Sequence, residues 1–180
     1  MAAPTYHTAD MVRAMPDDGN RYEVVYGELL VTPAPRAWHQ RLVVRLATAL
    51  ETYLVRYPDA GVAFVSPADI SWGPDVLVQP DLFVVSPEEA RTLTWNRMRT
   101  LLLVAEVLSP STERGDRFLK RLRYREAGVP LYWVVDGDER SVEIWTPSDE
   151  FPVVERGQLA WHPTGAARPF ELELEALFKL

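Results

Sequence analysis

The run Leu101-Leu102-Leu103-Val104-Ala105-Glu106-Val107-Leu108 is apolar at every position but one. A continuous apolar stretch of this length reads as a strand covered on both faces, hence as the buried central strand of a sheet. The exception, Glu106, is expensive there. An ionised carboxylate without a partner in such a place would lose several kcal/mol or take up a proton, so a cation, a metal or a strong donor must accompany it.

A second acid in similar company lies upstream, in Val76-Leu77-Val78-Gln79-Pro80-Asp81-Leu82-Phe83-Val84-Val85. The stretch reads as one β-prone run, with Pro80 marking a strand edge, start or bulge because proline cannot donate to a ladder. If the two strands pair, alternation lets Asp81 and Glu106 project from the same face. Two hard oxygen donors side by side are the outline of a Mg²⁺ or Mn²⁺ site. The competing reading pairs each carboxylate with an arginine of a neighbouring helix.

Downstream, Ser111 or Thr112 can cap a helix that runs to Ala127 and stops at Gly128, before Pro130. Its Thr112–Arg125 stretch carries Arg114, Arg117, Lys120, Arg121, Arg123 and Arg125 against Glu113 and Asp116 alone. This is either a solvated helix face or a basic patch for phosphates. Lys120 lies in line with Asp116 and Tyr124, opposite Phe118 and Leu122, and could face the sheet or solvent. Near a metal it could assist an attacking water. Leu131–Asp136 and Ser141–Thr146 read as a hairpin, Phe151–Glu155 as a shorter strand, and Phe170–Phe178 as a docked terminal helix.

Toward the N-terminus, Thr8 opens a short helix that stops near Pro16. Arg21–Thr32 reads as a hairpin turning at Gly27. Within it Glu23 alternates with apolar neighbours, as an outward-facing polar residue or as a third carboxylate of the site. From Arg36 to Tyr57 helical spacing holds for about six turns, with Trp38, Leu42, Leu46, Leu50 and Tyr53 on one stripe. His39 opens that helix, as a core or capping histidine or as a contact to phosphate or a catalytic acid. Strand-like runs follow at Val62–Val65 and Ile70–Trp72.

The 180 residues are 47% hydrophobic and 25% charged, which suits one α+β or α/β domain over 1–180, with helices on a mixed, largely antiparallel sheet, and excludes disordered and coiled-coil classes. With no cysteine, thiolate zinc sites and cysteine nucleophiles are excluded, and a reducing cytoplasm is the expected compartment. No apolar run approaches the roughly 18 to 20 residues that span a bilayer, and no signal peptide is expected. The net charge of −7 argues against binding nucleic acid by bulk charge, so any such binding must be local. His7 and His162 lack a second ligand at zinc-site spacing, and there is no phosphate-binding glycine loop or nucleophile elbow.

Read in order, the segments Tyr22–Leu29, His39-Gln40, Pro80-Asp81-Leu82, Glu106-Val107-Leu108-Ser109-Pro110-Ser111-Thr112, Asp116, Lys120, and Tyr124 through Gly128-Val129-Pro130 to Asp136 resemble the Uma-two family of bacterial endonucleases, in the PD-(D/E)XK superfamily. The resemblance spans nearly the whole chain. It implies a restriction-endonuclease-like fold that presents Asp81 and Glu106 to a divalent metal, Mg²⁺ or Mn²⁺, for phosphodiester hydrolysis, with Glu23 and His39 at family positions. The superfamily pattern places a lysine two residues after the glutamate. That position is Leu108 here, and the lysine is matched by Lys120 on the following helix. The expectations are therefore a metal-dependent nuclease acting on nucleic acid, DNA in the first instance, with Arg114, Arg117 and Arg121 on the backbone and His39 on substrate. A homodimer is expected by analogy with related folds. A non-catalytic nucleic-acid-binding module of the same fold is the alternative, and a glycosidase-like carboxylate pair is disfavoured by the clustered arginines.

Overall fold

The computed structural model describes residues 5–179. The apolar run forms β7 (Leu101–Val107), which lies inside a six-stranded sheet in the order β10-β9-β8-β7-β6-β3. Its neighbours are β6 (Leu82–Val85), antiparallel to it, and β8 (Tyr132–Asp136), parallel to it. β3 (Val62–Val65) closes one edge; β9 (Ser141–Trp145) and β10 (Val153–Glu155) close the other, all antiparallel. A parallel pair needs a crossover, and the basic helical segment supplies it between β7 and β8. The mixed, largely antiparallel sheet flanked by helices agrees with the expectation.

Both faces of this sheet are covered. Against one lie α2 (Ala37–Leu54), through Leu42, Leu46 and Leu50, and α5 (Leu174–Phe178); they meet Leu82, Val84, Leu103, Ala105, Trp133 and Val135. Against the other lie Tyr124 and a second, four-stranded sheet in the order β2-β1-β5-β4; they meet Phe83, Val85, Val104, Tyr132 and Val134. That sheet consists of β1 (Arg21–Val25), β2 (Glu28–Thr32), β4 (Ile70–Gly73) and β5 (Val76–Val78). The β1–β2 turn needs positive φ at both central residues. Tyr26 at 53° and Gly27 at 77° provide it, and a Cβ on Gly27 would run into the Tyr6 ring.

Two sequence expectations change. The run Val76–Val85 is not one strand, because at Gln79-Pro80-Asp81 the chain leaves the small sheet as β5 and enters the large one as β6. Proline cannot bridge that seam with a ladder bond. The tail Phe170–Phe178 is helical only from Leu174; its first half is β12 (Phe170–Glu173), paired with β11 (Gln158–Trp161), a strand the sequence reading did not find. The N-terminal helix α1 (Ala9–Arg13) begins as expected, the Thr8 hydroxyl accepting from the Met11 N–H. Among the described residues no helix is long and apolar enough to cross a membrane.

The basic segment is a π-helical turn, Gly115–Lys120, that runs into α4 (Arg121–Glu126). It ends in a Schellman arrangement: Gly128, at φ 75°, donates to the Arg125 carbonyl and Val129 to the Tyr124 carbonyl. Asp116 and Lys120, four residues apart, meet on its buried side, while Phe118 is 61% exposed.

Candidate active site

The seam between the two sheets assembles the site. At Gln79-Pro80-Asp81 the backbone N–H groups have no strand partner, and acidic side chains replace it. Glu23 Oε1 accepts from the Gln79 N–H at 2.7 Å, and Glu106 Oε2 accepts from the Asp81 N–H at 3.3 Å. Asp81 Oδ2 returns the arrangement by accepting from the Val107 N–H at 2.9 Å. Antiparallel register sets Leu82 opposite Ala105, so Asp81 stands opposite Glu106, as the sequence reading expected if the strands paired.

Each acid has further partners. Asp81 Oδ1 accepts from Arg21 at 2.8 Å, and Oδ2 lies 3.0 Å from His39 Nε2, which α2 presents from its first turn. Glu106 Oε1 accepts from Lys120 Nζ at 3.1 Å and from the Tyr124 hydroxyl at 2.9 Å. The Lys120 ammonium also lies 3.0 Å from Glu23 Oε2 and 3.1 Å from Asp116 Oδ1. Lys120 therefore faces the sheet and joins three carboxylates. Glu23 is buried between the sheets and does not point outward.

Glu23, Asp81, Glu106 and Asp116 are all buried, and the permanent cations among them are Arg21 and Lys120. This excess of negative charge shapes the proton affinities. Burial, opposed by Lys120 and reinforced by Asp116 and Asp81, holds the Glu106 carboxyl well above the usual range. Burial raises Asp116 likewise. Burial also acts on Asp81, but the hydrogen bond from His39 and the Arg21 guanidinium outweigh it and hold that carboxyl below its ordinary value. Lys120 keeps its proton despite burial, because Asp116, Glu106 and Glu23 surround it.

Among the described residues no three histidine, aspartate or glutamate side chains converge as a metal centre, so Glu23, Asp81 and Glu106 do not form a ready-made triad. The chemistry of the set nevertheless suits a divalent cation: hard oxygens, more buried carboxylates than cations, and a Glu106 Oε2 held only by a long bond from the Asp81 N–H. Asp81 and His39 line a cleft of about 970 Å³ between α1, α2 and the loop Ser109–Thr112.

The structure brings together five of the expected site residues, Glu23, His39, Asp81, Glu106 and Lys120. It does not bring Arg114, Arg117 and Arg121 to them, and none of the three lines the cleft. Arg117 is clasped by Glu143 at 2.8 Å, Asp136 at 3.0 Å and Glu113, and Arg121 lies 4.3 Å over the Trp145 ring. Arg114 is exposed. Arg21, Asp116 and Tyr124 are members that the reading of side-chain chemistry passed over. The signal for the last two was present, since Asp116, Lys120 and Tyr124 recur at four-residue intervals and so share a helix face.

No curated protein matches the chain. Its fold is similar to that of a crystal structure of "a putative nuclease belonging to DUF820" from Anabaena variabilis ATCC 29413, with a TM-score of 0.78 and 21% identity over 95% of this chain and 97% of that one. The architecture is thus the restriction-endonuclease-like fold. The Uma2 family model, described as "Putative restriction endonuclease", matches residues 9–175. With nearly the whole described chain inside that match, this protein belongs to the Uma2 family.

Proposed function

We propose that the chain is a metal-dependent nuclease that hydrolyses phosphodiester bonds, with DNA as substrate and Mg²⁺ or Mn²⁺ as cofactor. The observation that carries the reading is the juxtaposition of Asp81, which lines the cleft, with the buried Glu106 opposite it on β7, with Lys120 on the glutamate. Asp81 and Glu106 would hold the cation. Bound there, it supplies Lewis acidity at the phosphate and a lowered pKa for water. The other residues act on these two. Arg21 and His39 fix the two oxygens of Asp81 and keep it ionised, while Lys120 and Tyr124 orient Glu106 through Oε1. Glu23 and Asp116 hold the Lys120 ammonium in place. Membership of the Uma2 family supports the same reading. A homodimer, by analogy with related folds, and a cytoplasmic location, which a chain without cysteine suits, belong to the proposal.

The test is cleavage of plasmid DNA, single-stranded DNA and RNA with Mg²⁺ or Mn²⁺, comparing wild type with Asp81→Asn and Glu106→Gln. Cutting that needs metal and is lost in both variants is expected; equal traces in all three proteins would mean contamination. The second reading, a non-catalytic binding module, draws on the complete burial of Glu106 and its engagement with Lys120 and Tyr124. Nucleic-acid binding without turnover by pure wild type would favour it.

A further inference from the structure

The cleft over Asp81 has a wall that the buried carboxylates do not explain. Helix α2 carries two faces. Leu42, Leu46 and Leu50 enter the core, while Gln40, Val43, Val44 and Ala47 line the cleft. On that second face Val44 is 53% exposed. The same space is lined by Pro33 and Pro35 before the helix, by Val65 at the end of β3 and by Pro67 beyond it, all four exposed. An apolar wall beside a site for a phosphodiester is poorly matched to a duplex, which turns its charged backbone outward and stacks its bases inside. It is well matched to a single strand, whose unstacked bases offer apolar faces.

Charge gives the same indication. A duplex carries a charge about every 1.7 Å of axis and calls for a row of free cations. In the cleft Arg21 is occupied by Asp81 and Glu23, which leaves Arg13, paired at the surface with Asp10, and the exposed Arg36 at the rim. The arginines of the basic helix lie elsewhere, two of them held by Glu143 and Trp145. The volume, about 970 Å³, is that of a pocket enclosing a ligand of a few rings, for which about 300–1,000 Å³ is usual.

We propose that this cleft receives single-stranded nucleic acid, its bases against the wall formed by Pro33, Pro35, Val44 and Val65 and its phosphates at Arg13 and Arg36. The inference rests on the nuclease reading for the placement of the scissile phosphate at Asp81, but it concerns binding and is tested without cleavage. Wild-type protein in EDTA is titrated against a short labelled single-stranded DNA, the corresponding RNA and the matching DNA duplex, read by fluorescence anisotropy at one salt concentration. Either single strand is expected to bind about tenfold or more tightly than the duplex. Val44→Glu, at an exposed helix position, and separately Arg36→Glu are each expected to weaken single-strand binding about tenfold, with circular dichroism reporting that each is folded. Equal or tighter binding of the duplex, no binding of any of the three, or single-strand affinity unchanged by both variants would overturn the inference. Failure of the nuclease reading is told apart by the cleavage assay: a single-strand preference without metal-dependent cutting sinks the nuclease reading alone, and metal-dependent cutting without that preference sinks the inference alone.

Discussion

Glu106 is held from three directions, by Lys120, Tyr124 and the Asp81 backbone, and Lys120 in turn joins Glu106 to Glu23 and Asp116. Removing the shared cation leaves Glu106 and Asp116 buried without a cation and Glu23 with Arg21 alone. Lys120→Ala is therefore expected to lower the unfolding free energy by about 3–5 kcal/mol, measured by urea denaturation at neutral pH. A loss under about 1 kcal/mol would mean that the acids are not held by that ammonium. Asp81 makes a separate contribution with a definite sign. Its folded carboxyl titrates below its ordinary value of 3.8, so its stabilisation is complete above that value and is lost as pH falls through the lower folded one. Glu106 and Asp116, raised by burial, contribute in the opposite sense, and comparison with a variant isolates Asp81. The stability gap between wild type and Asp81→Asn should narrow as pH is lowered from about 6 toward 3. A gap that widened on acidification would contradict the ion pairing drawn for Asp81. Asp81 and Glu106 could be found in the sequence because each acid interrupts an apolar run. Glu23 could not be assigned: between apolar neighbours on a hairpin, a polar residue has the same pattern whether its face meets water or a second sheet. Arg21 gave no signal, since its partners are 2 and 60 positions away.

Local periodicity revealed the elements and long-range pairing divided them. The helix from Ala37 to Leu54 was legible because its apolar stripe recurs over many turns. The run from Val76 to Val85 was not legible as two strands, because β5 and β6 are both wholly apolar and are told apart by their partners. β11 and β12 were missed or read as helix for a related reason: four residues are too few to display a period. The π-helical turn has no mark in the sequence either. The end of that helix is open to a simple test. Gly128 has φ 75° and open space around an added Cβ, so Gly128→Ala would meet no clash and would report the backbone alone. The expected loss is about 1 kcal/mol in chemical denaturation. No change would mean that the Schellman end does not require a left-handed residue there.

At the scale of the whole molecule, a net charge of −7 surrounds a cleft whose cations number only a few. Nucleic-acid binding should therefore depend weakly on salt. With Arg13 and Arg36 as the phosphate contacts, the slope of log K against log salt for a single strand is expected near −1.4 in EDTA, from about −0.7 per contact. A slope steeper than about −4 would require the basic helix to take part, contrary to the engagement of Arg117 and Arg121 within the fold. The division into two sheets is what concentrates the carboxylates. Glu23 comes from one sheet, Glu106 from the other, and Asp81 from the seam, so the site forms only when the sheets pack. The most direct test is the binding of Mn²⁺ followed by electron paramagnetic resonance, with wild type, Asp81→Asn and Glu106→Gln each verified as folded. One bound ion in wild type, lost or weakened about tenfold or more in both variants, is the expected result. Wild-type protein that binds no Mn²⁺, or binding left intact by both substitutions, would contradict a metal-dependent site at Asp81 and Glu106.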